Sequence, residues 1–195
     1  MARWAPDSRG RLENAAFELF EAEGFSATTV PEIAERAGLT TRTFFRHFAD
    51  KREVLFADGA MSEYAQQIIA DAPPGLTPIE VVRHLLHQSA EEQFSGRADR
   101  IRRVRAIVAT DPTLRERELA KRHELSTTAE AGLIERGVDE VSARLLADLA
   151  VTVMYLAVDR WLASPDSESE LTTRIDEILD AHSALHADHR APRPR

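Results

Sequence analysis

"GLTTRTFFRHF", Gly38 to Phe48, decides how this chain reads. A turn glycine is followed by two threonines, then by arginines and aromatics at helical spacing. Neighbours on a helix point about 100° apart, so adjacent Phe44 and Phe45 cannot share a face. Phe44 and Phe48, four apart, share one face and belong inside. Arg42 and Arg46, also four apart, point the other way, and Phe45 turns towards them beside Thr41. Thr43 and His47 lie at the edge of this outer face.

Working outward, Gly38 stands at the turn of a helix-turn-helix. Ala34 falls where the two helices cross, and Ile33, Ala37, Leu39 and Phe44 fall where they pack. Such a unit can lay its second helix in the DNA major groove. Arginine can reach guanine, threonine can meet base edges or phosphate, and aromatic carbons can contact a thymine methyl or the sugar-phosphate edge. Lys51 and the start of the next helix can hold a phosphate. A glycine-turned helix pair also occurs in helical proteins that never touch DNA, so that alternative stays open on spacing alone.

Helical patterning continues in both directions, and alternating strand patterns are missing. Asp7 or Ser8 caps a first helix that Gly24 ends. Thr29 to Glu32 reads T-V-P-E, a capping box for a second helix reaching Ala37. Thr40 caps the third. Asp50 and Glu53 open a long fourth helix towards Ala70, and "DAPPGLTP" breaks the chain after it. Further helices are expected near 79–94, 98–109, 113–136, 140–163 and 168–183. The class is all-α, with about nine helices: an N-terminal helix-turn-helix domain over 1–52, a C-terminal helical domain over 53–185, and a disordered tail over 186–195.

The chain has 195 residues, 43% of them hydrophobic and 30% charged, as in ordinary globular proteins. It has no cysteine, which excludes disulfide scaffolds and thiolate metal sites. No export signal opens the sequence, so a cytoplasmic protein is expected. No uninterrupted apolar run is long enough for a membrane helix; "LAVTVMYLAV" (149–158) has the length of a helix buried in protein. The net charge is −8, yet 36–52 holds five basic residues and one acidic. That is a local +4, leaving −12 on the rest: an acidic body with a small basic patch. "RADRIRRVR" (97–105) is a second basic cluster, either a site for an anionic group or a face paired with acids.

The stretch Phe17 to Phe56, "FELFEAEGFSATTVPEIAERAGLTTRTFFRHFADKREVLF", resembles the DNA-binding domain of the TetR family of transcriptional regulators. The matching elements are G-F-x-x-T-T-V, I-A-x-x-A-G, a hydroxyl residue after G-L, a threonine and aromatic in the recognition helix, and H-F-x-x-K. The resemblance implies that Thr29, His47 and Lys51 bind phosphate and that Thr40 caps the recognition helix near the backbone. It implies that Thr41, Arg42 and Thr43 approach bases. Phe45 departs from the family's usual tyrosine and lacks its hydroxyl; either that phosphate contact is lost or Arg46 and His47 compensate.

The same resemblance implies a ligand-responsive repressor, a homodimer on a palindromic double-stranded operator. The last two long helices would form the dimer, with Ala147, Val151, Met154, Val158, Leu171, Ile175 and Ile178 at the interface. Tyr64, Leu86, Phe94, Val104 and Tyr155 are candidate contacts to a small, mostly apolar effector. The fourth helix is the expected lever between the two modules. No cofactor, metal or membrane is expected. The His84/His87 and His182/His186 pairs lack a carboxylate set, and no catalytic motif stands out. An all-helical enzyme and a helical protein-interaction module are the competing classes.

Overall fold

A computed structural model describes residues 7–56, 59–164 and 171–187. Every regular element among them is helical. In chain order these are α1 (Ser8–Glu23), α2 (Val30–Arg36), α3 (Thr41–His47), α4 (Glu53–Phe56), α5 (Gly59–Asp71), α6 (Pro78–Ser89), α7 (Ala98–Thr110), α8 (Pro112–Glu135), α9 (Glu140–Ala163) and α10 (Leu171–Ala187). A π-helical stretch, Ala90–Phe94, continues α6.

The ends follow from the capping residues. Asp7 accepts a 2.8 Å hydrogen bond from the Gly10 amide and starts α1. Thr29 and Glu32 form the expected capping box on α2. Thr77 and Glu80 form a second on α6, and Asp139 accepts from the Ser142 amide to start α9. Gly38 adopts φ +63 between α2 and α3; a Cβ there would stand 2.9 Å from an Arg11 side-chain nitrogen. Only glycine takes that backbone without strain.

Two segments, α4 and α5, stand where one long fourth helix was expected, and residues 57–58 between them lie outside the described set. The last helix runs to Ala187, two residues into the expected tail; 188–195 lie outside the described residues.

The chain divides into two compact units. The first takes Met1–Gly59 and Asp99–Ala120, the second Ala60–Ala98 and Lys121–Arg195. The first unit is built on Leu12, Ala16, Phe17, Phe20, Ile33, Phe44 and Phe48, with Ile107, Val108 and Leu114 in the same core. Most of α7 and the start of α8 therefore belong with the helix-turn-helix in this unit, although they fall within the 53–185 expected as the C-terminal domain. Their apolar residues Val104, Ile107 and Val108 recur at i, i+3 and i+4, the stripe of a helix with one face inside. Arginines lock this packing. Arg103 forms a two-pronged pair with Glu21 at 2.6 and 2.9 Å, and Arg100 donates to the Val54 carbonyl at 3.0 Å. Both guanidinium groups lie over the Phe17 ring. Arg102 pairs with Asp99. For these arginines the second basic cluster is a paired face.

In the second unit, α6, α9 and α10 pack together. The inner face of α9 is small: Ala143, Ala147, Ala150 and Ala157 are buried, with Val153, Val158 and Trp161. Small residues let neighbouring helices approach closely. Arg83 of α6 pairs with Asp176 and Asp180 of α10. Arg136, just past α8, donates to the carbonyls of Ile69, Ala70, Ala72 and Pro73 at the end of α5 and just beyond it. By length and composition α9 would pass for a membrane span; its buried inner face and its ion pairs, Arg144 with Glu130 and Asp148, are those of a helix in a protein bundle.

Candidate nucleic-acid interface

The recognition element starts at Thr40. Its side chain accepts from the Thr43 amide at 3.2 Å, and the two hydroxyls share a hydrogen bond of 3.0 Å. Phe44, fully buried, and Phe48, 1% exposed, pack ring to ring at 5.3 Å and fix α3 to the core. The Leu39 amide donates to the Ala34 carbonyl at 2.8 Å, closing the turn over the buried crossing alanine. The 100° step then leaves Thr41, Arg42, Phe45 and Arg46 exposed, with Thr43 and His47 half-buried at the edge. Arg42, Thr43, Phe45 and Arg46 line a shallow open concavity of about 580 Å³.

Ion pairing separates the basic residues of the patch. Arg36 pairs with Glu18 at 3.2 Å and Arg52 with Asp50 at 2.9 Å. Arg42 has no hydrogen-bond or ion-pair partner among the described residues, although its side chain stands in solvent beside the concavity. Its charge is the one on α3 that the fold does not use.

Three sequence candidates carry structural duties, and for Lys51 and His47 spacing did not reveal them. Lys51 donates to the carbonyls of Phe25 and Thr28 at 2.6 and 2.7 Å, and its ammonium lies over the Phe25 ring. Burial pushes its pKa below the usual lysine value, against the pull of Asp111 and Glu32. It clamps the loop between α1 and α2. His47 Nε2 shares a 2.9 Å hydrogen bond with the Ser8 hydroxyl at the start of α1. Thr29 is exposed, and its hydroxyl donates to Glu32 at 2.8 Å, a bond that holds the Glu32 carboxyl below the usual range. Only the tertiary fold brings Lys51 to those carbonyls, so no local signal announced it.

Among the candidate effector contacts, Tyr64, Leu86, Phe94 and Tyr155 lie in the second unit. The Tyr64 hydroxyl is pushed up to about 12 by burial first, then by its hydrogen bond to Glu92. The Arg122 guanidinium sits 3.5 Å from the centre of the Tyr155 ring. Val104 is a correction: it packs against the core of the first unit, because its face of α7 closes over α1. The candidate dimer residues also divide. Ala147, Val158, Leu171 and Ile175 are buried within the chain, so the protomer's own packing already uses them. Val151, Met154 and Ile178 are half-buried. The exposed apolar side chains of α9 are instead Val141, Leu145 and Leu156, and α10 exposes Leu185.

Residues 13–57 match the family model described as bacterial regulatory proteins, tetR family. Over 197 residues the chain is 28% identical to the HTH-type transcriptional regulator TcmR of Streptomyces glaucescens, covering 95% of this chain and 87% of that protein. It is 29% identical to the HTH-type transcriptional regulator TtgR of Pseudomonas putida, with 84% of each covered. Among solved structures it is similar in fold to SmeT of Stenotrophomonas maltophilia in complex with triclosan, at a TM-score of 0.59 and 21% identity, covering 89% and 90% of the two chains.

Proposed function

We propose that this chain is a regulator of the TetR family, as the match of residues 13–57 and the resemblance to TcmR support, and that it is a ligand-responsive repressor whose homodimer grips a palindromic operator and lets go when a small, largely apolar effector binds. The observation that carries the DNA-facing part is Arg42, an exposed and unpartnered guanidinium on a helix whose opposite face is wholly buried. Arg42 and Arg46 reach base edges, with Thr41 and Thr43 beside them. Thr29, Thr40, His47 and Lys51 line the phosphate-facing rim, where their positions relative to the backbone fix register more than sequence. The DNA-reading module is the first unit, the helix-turn-helix with 99–120 packed on it, and the second unit is the effector and dimer module. On this reading the protein acts as a cytoplasmic regulator rather than as an enzyme.

One helix-turn-helix reads a single half-site; two related by a two-fold axis span half-sites about 34–36 Å apart. The outer faces of α9 and α10, with Val141, Leu145, Leu156, Ile178 and Leu185, supply the second copy's contact. An effector bound among Tyr64, Leu86, Phe94 and Tyr155 favours a conformation whose recognition helices no longer match successive major grooves, and it shifts the balance only by its differential affinity for the two states. The continuous helix α8, with residues in both units, is the covalent route for that change.

Footprinting on the DNA flanking the protein's own coding sequence tests this reading, extended by a genome-wide selection. A protected palindrome is the expected result. Its absence from both would sink the regulator reading.

A further inference from the structure

Phe45 is 58% exposed, a large apolar ring left in water on a helix of seven residues. Burying such a ring is ordinarily worth about 1.5–3 kcal/mol, so its exposure needs a reason. The ring stands edge-on to fully buried Phe44, with centroids 5.5 Å apart and planes at 83°, and Phe44 in turn is wedged against Phe48. Phe45 presents an apolar face, flanked in the same concavity by Arg42, Thr43 and Arg46.

The chemistry of that face is narrow. A phenyl ring neither donates nor accepts a conventional hydrogen bond, so it cannot report the donor and acceptor pattern of a base edge. The major groove offers one apolar feature, the C5-methyl group of thymine, while the flanking arginines match the O6 and N7 acceptors of guanine. We infer that Phe45 is a specificity-determining residue that reads a thymine methyl, within a half-site where that thymine neighbours guanine. The inference rests on the DNA-binding reading above and adds to it the base chemistry of the site.

The test uses the full chain and a randomised duplex library. Selection yields an enriched duplex, and each of its thymines is then replaced singly by uracil, which removes only the methyl. One thymine per half-site should show binding weakened about fourfold, the value of one buried methyl group. Phe45→Ala should bind the thymine and uracil duplexes alike and stay folded, its thermal midpoint lowered by no more than a few degrees for the lost ring contact with Phe44. Uracil substitutions that are all neutral with the natural protein would overturn the inference while leaving DNA binding intact. A penalty that persists in Phe45→Ala would overturn it too, moving the methyl contact to another side chain. Failure of any duplex to enrich would overturn the DNA-binding reading and this inference together.

Discussion

The hydroxyl of Ser26 donates a 2.6 Å hydrogen bond to the carboxylate of Asp111, 85 positions along the chain. The other carboxylate oxygen accepts from the Thr113 amide, the Thr113 hydroxyl and the Leu114 amide at the start of α8. One buried side chain thus holds the loop before α2 and the first turn of α8, with Lys51 clamping the same loop through Phe25 and Thr28.

These bonds, the Ser26 hydroxyl foremost, lower the Asp111 pKa from 3.8 to about 2. A depressed carboxylate pKa supplies stability at pH values above the unfolded pKa, and that stability is lost as pH falls through the folded one. The natural protein should therefore lose stability between about pH 4 and pH 2. Asp111→Asn should be less stable by about 2 kcal/mol at neutral pH and should show a shallower decline over that acid range. Urea midpoints measured across pH check this; equal acid slopes for the two proteins would exclude Asp111 as the source.

Lys51→Met keeps most of the length of the side chain and removes its donors. The carbonyls of Phe25 and Thr28 then lose a charged partner, at a cost of about 1.5–3 kcal/mol. The thermal midpoint should fall even without DNA. If Lys51 served a phosphate alone, the midpoint would hold and only the salt dependence of binding would change, by about one unit of slope.

Much of this fold was legible because its signals are local. The 100° step between Phe44 and Phe45 separated core from surface, and the structure leaves one fully buried and the other 58% exposed. The Thr29–Glu32 capping box and the bounds of α9 also follow from neighbouring residues. What local pattern does not encode is which core a stripe will join. Val104 has the spacing of a buried residue in either unit, and only packing against α1 assigns it. The same limit applies to Ala147 and Ile175: an apolar helix face reads alike whether its neighbour is the same chain or a second copy. At the candidate site, the exposed face of α3 could be read from spacing, but the neutralisation of Arg36 by Glu18 and the inward turn of Lys51 could not.

Arg42→Ala tests base reading directly. A bidentate contact to guanine is worth about 1–3 kcal/mol of discrimination. The variant should therefore weaken binding to the selected operator by that amount and accept other bases at one position per half-site. Its folding stability should stay within about 0.5 kcal/mol of the natural protein, since no intramolecular partner is lost. Binding selections on the variant check both points; an unchanged base preference would show that Arg42 contacts only the backbone.

Two substitutions on α9 separate the association surface from the chain's own core. Leu145 is 66% exposed and Val158 is 2% exposed, though both are apolar residues on one helix. A charge at Leu145 meets water in a lone protomer but is desolvated in a dimer that uses this face, where an unpaired carboxylate is costly. Leu145→Glu should therefore yield a folded protein that sediments as a monomer and has lost operator affinity, because each half-site is then bound alone. Val158→Glu buries the same charge inside the protomer and should unfold it outright. If Leu145→Glu sediments as the natural protein does and binds the operator equally well, association does not run through this face of α9.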